Sequence, residues 1–428
     1  MDYIQKQTTL RTHTRIRFLM ELRDYQKDII KRGVPVLQKH RFLYLAMEVR
    51  TGKTLTSLSM SSLLSVQNLL FITKKKAISS IQDDYDKLNP DYKIQIINYE
   101  SLHKVDCCRF DMIICDEAHS MGAFPKPSLR ARLVKSLINM NKCYVILLSG
   151  TPTPESYSQM YHQVYGIPNN PFNSFKNFYA FCKTYVNVKK KYISSMPIND
   201  YSDGLKSILD KMKPYTISYS QKEAGFKTKT DEEVLKVKMN TITYMVIDKL
   251  KKDLVVEGKD HVILADTSVK LMSKLHQLYS GTVKFEEGGS MVLDYAKAEY
   301  IYFKFRNQKI GIFYKFKEEL NAIKSMYRDE ICTDIKEFNE TDKSIALQIV
   351  SGREGISLKK ASALVYYNID FSATSYWQSR DRMTTKDRKY NKIYWVFAEG
   401  GIENEIYKTV IKKKDYTLSH FKKDLLSL

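Results

Sequence analysis

Residues Leu43 to Leu58 read LYLAMEVRTGKTLTSL, an apolar run that stops at a charged pair and continues Thr51-Gly52-Lys53-Thr54. A tight turn between a buried strand and a helix leaves backbone N–H groups unpaired at the helix start. Glycine there lets the backbone approach phosphate oxygens closely. Lys53 would then neutralise the β and γ phosphates, and Thr54 would ligate Mg2+. The first glycine of the full phosphate-loop pattern is missing, with Met47 in its place, so the loop by itself also fits a lysine-bearing surface turn.

A second stretch decides between these readings. In DMIICDEAHSMG, residues 111 to 122, four apolar residues end in Asp116-Glu117-Ala118-His119. Two adjacent carboxylates therefore sit at the C-terminal tip of a buried strand, the edge at which parallel sheets bind ligands. Asp116 can share the Mg2+ that Thr54 touches, and Glu117 can take the proton of a water attacking the γ-phosphate. His119 is read as a coupling residue rather than a base.

These residues need elements to hold them, and the chain supplies a regular alternation. LYLAMEV (43–49), NLLFIT (68–73), KIQIINY (93–99), DMIICDE (111–117) and CYVILLSG (143–150) read as buried strands separated by segments of helix length. From about 166 to 295 the apolar runs thin and the pattern turns lysine-rich, aromatic and mainly helical. KIGIFYKF (309–316), KSIALQIVSG (343–352), ALVYYNIDF (363–371) and NKIYWVFAE (391–399) then restore the alternation. The expected fold is α/β, with two parallel-sheet domains and a largely helical insertion. The expected divisions are an N-terminal extension over 1–20, a first domain over 21–165, the insertion over 166–295, and a second domain with a basic tail over 296–428.

The 428 residues carry 69 Lys and Arg against 48 Asp and Glu, a net charge of +21, which favours phosphate-rich partners and above all nucleic acid. The chain shows no run of transmembrane length and its start has no signal-like apolar core, so a cytoplasmic location is expected. Six cysteines without a CxxC pair suggest reduced, mostly buried thiols rather than a zinc site. Most of the aromatic residues are read as core. A share of the lysine runs VKKKY (188–192), KLKKDL (249–254) and IKKKDY (411–416) is read as lining a nucleic-acid track.

With these residues placed, the chain resembles superfamily 2 helicases and translocases, most closely the Snf2-like branch in the compact form typical of phage genomes. The resemblance runs from about Leu22 to Glu399. Leu22-Arg23-Asp24-Tyr25-Gln26 is similar to the family's element whose glutamine reads adenine. FITKKKAI (71–78) and NYESL (98–102) sit where the family touches the DNA backbone, which implies contacts from Lys74, Lys75, Tyr99 and Ser101. Ser149-Gly150-Thr151-Pro152 matches the turn that couples hydrolysis to DNA, implying coupling roles for Ser149 and Thr151 beside His119. SGREGISL (351–358) and SYWQSRDR (375–382) resemble the fifth and sixth motifs. FNSFKNFYAF, KLHQLYSGTV and the lysine of DYAKAEY resemble the Snf2 helical segments.

The resemblance implies two RecA-like domains that share ATP and Mg2+ in a cleft and move along DNA as the nucleotide turns over. It assigns nucleotide contacts to Arg23, Gln26, Thr51, Gly52, Lys53, Thr54, Gly355, Gln378 and Arg382, metal contacts to Thr54 and Asp116, catalysis to Lys53, Asp116, Glu117 and Arg382, and DNA contacts also to Ser351 and Gly352. Aligning Gln378 puts Arg382 at the first arginine of the sixth motif and Thr385 at the second; Arg380, Lys386 or Arg388 could take part after a shift in register. Arg50 stands where Snf2 proteins have glycine, to contact phosphate or to face solvent. The expected partner is DNA, duplex or branched and gripped without sequence specificity. Duplex translocation, strand separation or branch migration at forks or junctions, and a DNA-binding scaffold with a silent ATPase are the three functions weighed.

Overall fold

The structure, a computed structural model, describes residues 22–105, 109–193, 196–352, 356–385 and 387–412. The N-terminal extension, Gly355, Lys386 and the tail lysines beyond 412 lie outside the described residues. The chain divides into two units, Met1–Gly225 and Phe226–Leu428.

Unit 1 is built on β1 (Phe42–Met47), β2 (Asn68–Thr73), β3 (Lys93–Asn98), β4 (Met112–Cys115) and β5 (Tyr144–Leu148). A hairpin of β6 (Lys189–Ile193) and β7 (Met196–Asp200) follows, and then β8 (Thr216–Tyr219). The sheet order is β3-β2-β4-β5-β1-β8, and every neighbouring pair is parallel. Parallel strands covered on both faces read as unbroken apolar runs, because alternate side chains enter two different cores. Phe42 and Tyr44 of β1 pack with Val134 and Phe181 on one face. Leu43 and Leu45 pack with Ile29 and Leu58 on the other. The first cluster takes side chains from the helices Leu129–Asn141 and Phe178–Tyr185, the second from Asp24–His40 and Lys53–Leu63.

Unit 2 repeats the plan. β9 (Lys229–Val237) is followed by two small hairpins, β10 (Val255–Glu257) with β11 (Val262–Leu264) and β12 (Thr282–Lys284) with β13 (Ser290–Val292). Then come β14 (Gly311–Tyr314), β15 (Ile331–Cys332), β16 (Ser344–Gln348), β17 (Ala363–Tyr366) and β18 (Tyr390–Ala398). The order is β15-β16-β14-β17-β18-β9, again parallel throughout.

The segment 166–295, expected as a largely helical insertion, is divided between the units. It does contain the helices Thr241–Asp253 and Ser268–Tyr279. It also supplies β8, paired with β1 from Tyr44↔Thr216 to Met47↔Tyr219, and β9, paired along its whole length with β18. Both are edge strands. An edge strand needs fewer apolar residues, which is why neither stood out as an apolar run. No helix among the described residues is long and apolar enough to cross a membrane.

Candidate functional site

In unit 1 the strand order β4-β5-β1 brings three loops side by side at the C-terminal edge. They carry Asp116-Glu117, Ser149–Thr151 and the loop from Glu48 to Gly52. Gly52 has φ +81° and precedes the helix Lys53–Leu63, so Lys53 and Thr54 open that helix. Glycine is required here twice over, by the left-handed backbone and because a Cβ would stand 2.4 Å from Gln26 Nε2. Arg50, at the place where the resemblance leads one to expect glycine, also adopts a left-handed conformation, φ +66°.

The element Arg23–Gln26 is folded against this loop. Gln26 is buried; its Nε2 donates to the Gly52 carbonyl at 3.3 Å, and its Oε1 accepts from Arg23 N at 3.1 Å. Tyr25 donates its hydroxyl to the Thr51 carbonyl at 3.1 Å and stacks on Tyr219 with ring centroids 4.7 Å apart. Arg23, exposed, reaches the Tyr25 hydroxyl at 2.8 Å.

Asp116 accepts a hydrogen bond from the Thr73 hydroxyl at 2.9 Å. Burial and the neighbouring Glu117 carboxylate push its pKa up to about 6, against the opposing pull of Lys53 and of Thr73. The Lys53 ammonium thus acts on the Asp116 carboxylate, from 63 residues away in the sequence. Glu117 takes a left-handed turn, φ +50°, at the end of β4. Backbone held in this region by a residue other than glycine is a strain that the surroundings must impose. His119 is buried. Its Nδ1 lies 3.0 Å from Ser149 Oγ and 3.3 Å from Glu117 Oε2, and Ser149 Oγ accepts from Thr151 N at 3.1 Å. A chain of polar contacts therefore runs from Glu117 through His119 and Ser149 to Thr151.

The residues present fit a magnesium nucleotide. The donors at hand, the Thr54 hydroxyl and the Asp116 carboxylate, are hard oxygens. Among the described residues no group of three or more His, Cys, Asp or Glu could cage an ion. Mg2+ is commonly held by one or two protein oxygens and completed by phosphates and water.

Farther along the same edge lie the ends of β2 and β3, with Lys74 half-buried, Lys75 exposed, and Ser101 half-buried in the turn Tyr99–Lys104. Tyr99, read from sequence as a DNA contact, is instead 1% exposed, and its hydroxyl donates to the Asp116 carbonyl at 2.6 Å. It supports the acidic turn from beneath.

In unit 2, Arg382 lies in the turn Arg380–Met383 after the helix Ala373–Ser379 and is 5% exposed. Its Nε donates to the Gln378 carbonyl at 2.9 Å and its Nη1 to the Ile356 carbonyl at 3.4 Å. The Oε1 of Gln378 is buried and has no hydrogen-bond partner among the described residues. The other arginines considered for this motif are likewise bound within unit 2. Arg388 donates to the carbonyls of Lys359, Ala361, Ser362 and Tyr390. Arg380 pairs with Glu232 of β9 and lies over the rings of Tyr376 and Trp377. Thr385, at the place of the second arginine, offers its carbonyl to Thr228. Gly352 is buried against Phe313 and Leu347, so it serves packing. The Ser351 hydroxyl donates to the Gln348 carbonyl at 3.2 Å.

Sequence reasoning missed Thr73, Tyr219 and Gln221, which approach the loop or the acidic pair, and Glu232. Thr73 lies within FITKKKAI but was given no role there, the other three stand outside any local motif, and strand register brings each to its place.

Fold and site together define a parallel α/β protein with a Gly-Lys-Thr turn at a helix start and an acidic strand end on the same sheet edge. The chain belongs to the SNF2-related domain family, whose model matches residues 64–280, half of its length. Its two parallel sheets are the two RecA-like domains. Residues 19–107 also match the model of the type III restriction enzyme res subunit. No curated protein matches the sequence. Among solved structures it is similar to the Sulfolobus solfataricus SWI2/SNF2 ATPase core in complex with dsDNA, at 16% identity over 95% of this chain and 93% of that one, TM-score 0.42. The SWI2/SNF2 ATPase core domain of the same organism aligns at 16% identity over 92% and 88%, TM-score 0.39.

Proposed function

We propose that the protein is an ATP-dependent DNA motor that hydrolyses ATP at the loop edge of unit 1 and moves along duplex DNA. One observation carries this reading. Lys53, Asp116 and Glu117 meet at one sheet edge, with a polar chain through His119 and Ser149 leading away from the acidic turn.

In this reading the loop and Lys53 hold the phosphates, while Gln26 and Arg23 lie toward the base. Thr54 and Asp116 hold Mg2+, whose contribution is to neutralise charge on the phosphates. Glu117 takes the proton of the attacking water; its left-handed backbone fixes where the carboxylate points. Of the arginines in unit 2, Arg382 is the one assigned to charge on the transferred phosphoryl group. His119, Ser149 and Thr151 link the state of Glu117 to the loop after β5. Lys74, Lys75 and Ser101, on the adjoining part of the same edge, contact the DNA backbone, helped by a net charge of +21.

The test is ATP hydrolysis by the parent and by Lys53→Ala without DNA and with single-stranded, duplex and forked DNA. Duplex should stimulate the parent as well as forks do. Lys53→Ala should lose turnover yet keep most of its salt-sensitive DNA affinity. Strong preference for forks would favour strand separation, and hydrolysis absent under every condition would leave only a scaffold.

A further inference from the structure

The loop after β1 binds phosphate only if its N–H groups turn inward, and in so short a loop this requires its carbonyls to turn away and find donors. Those donors are present. The Glu48 carbonyl accepts from the Thr51 hydroxyl at 2.7 Å and from Lys53 Nζ at 3.3 Å. The Thr51 carbonyl accepts from Tyr25, and the Gly52 carbonyl from Gln26 and Thr56. The Val49 carbonyl accepts from Gln221 Nε2 at 2.9 Å.

All but one of these donors belong to the loop, its helix or the element just upstream. Gln221 comes from 172 residues farther along. Register explains how it arrives. Met47 and Tyr219 are partners at the ends of β1 and β8, so two residues on, Gln221 faces Val49. Two more bonds close the clasp. Gln221 N donates to Glu48 Oε2 at 2.7 Å, and Glu48 N donates to the Tyr219 carbonyl at 2.9 Å.

We infer that Gln221 is a positioning residue for ATP: by holding the Val49 carbonyl outward it presets the loop for phosphate. It reaches the nucleotide only through the loop, and the inference rests on the proposed ATP site of unit 1.

The experiment compares the full-length parent with Gln221→Leu, Gln221→Met and Gln221→Glu, measuring Kd for a fluorescent ADP derivative, KM and kcat for ATP, and Tm. Removing the donor should weaken nucleotide binding about 3- to 10-fold, the range of one neutral hydrogen bond. KM should rise in step while kcat stays within about twofold, because the loop serves ground and transition states alike. Gln221→Glu keeps the shape but turns an acceptor on the Val49 carbonyl and should be the weakest binder. Gln221→Met carries the test if the leucine variant does not fold. A lowered Tm with Kd and KM at parental values would mean that Gln221 only braces the fold, and would overturn the inference. A parent that neither binds nor hydrolyses ATP would overturn the site itself, and with it any role for Gln221; a parent that binds while all variants match it overturns the Gln221 inference alone.

Discussion

Asp116→Asn should make the nucleotide-free protein more stable while abolishing turnover. The carboxylate is half-buried beside Glu117, and desolvation together with that neighbour raises its pKa to about 6 against an ordinary 3.8. That interval corresponds to about 3 kcal/mol. The sign follows from proton linkage. A carboxylate whose folded pKa lies above its unfolded value binds its proton more tightly when folded, so stability rises as the pH falls from about 6 toward 3.8. Above about pH 7 the folded protein bears the whole penalty. Asparagine removes the charge, keeps the shape and can still accept from Thr73. At pH 8 the variant should therefore gain up to about 3 kcal/mol, or roughly 6–12 °C in the transition of a unit this size. Near pH 4 the gain should vanish. Calorimetry and hydrogen exchange at β4 are the suitable probes, because both tryptophans, Trp377 and Trp395, lie in unit 2 and are blind to this site. A variant no more stable than the parent at pH 8, or a gain that persists unchanged in acid, would refute the reasoning.

Two further changes probe the supports of each unit. Gly52→Ala should cost about 1–2 kcal/mol in backbone strain and lose nucleotide affinity, since the new methyl displaces Gln26. Adding Gln26→Ala should relieve the collision but not the strain, a partial recovery that a thermal melt would detect. In unit 2, Lys297 and Glu403 form a fully buried ion pair at 2.6 Å. Lys297→Met alone should cost about 3–5 kcal/mol by leaving Glu403 charged, and the double variant Lys297→Met, Glu403→Leu should recover most of it. Denaturation followed by tryptophan fluorescence reports this unit directly, and strictly additive losses would contradict the pairing.

The strands buried on both faces were legible as apolar runs because each feeds two cores, and NLLFIT coincides with β2 residue for residue. β8 and β9 were not: one is four residues long, and the other alternates exposed side chains with half-buried ones, and with buried ones only at Leu235 and Val237, along a sheet edge. The same contrast holds at the site. Lys53, Asp116 and Glu117 stand out because glycine, lysine and paired carboxylates at strand ends form local patterns. Gln221 and Thr73 gain meaning only from pairing between distant strands. Tyr99 was misread because a tyrosine after a strand can face water or the core, and only packing decides. Arg380, Arg382 and Arg388 look alike in the sequence, and their different partners, Glu232 for the first, the Gln378 and Ile356 carbonyls for the second and the carbonyls of Lys359 to Ser362 for the third, come from residues that no local pattern ties to them.

The pairing of β9 with β18 shapes how the protein must be made. β9 is the first strand of unit 2 to leave the ribosome, yet its partner, Tyr390–Ala398, is the last of that sheet to be synthesised. Until β18 is made, a nine-residue strand waits with its backbone unpaired, which is a template for aggregation. Five of its nine residues, Lys229, Asp231, Glu232, Glu233 and Lys236, are charged, and such gatekeepers keep a waiting strand in solution. When β18 arrives, Glu232 passes from guarding the nascent chain to receiving Trp395 Nε1 at 2.9 Å, and the sheet closes on its own beginning.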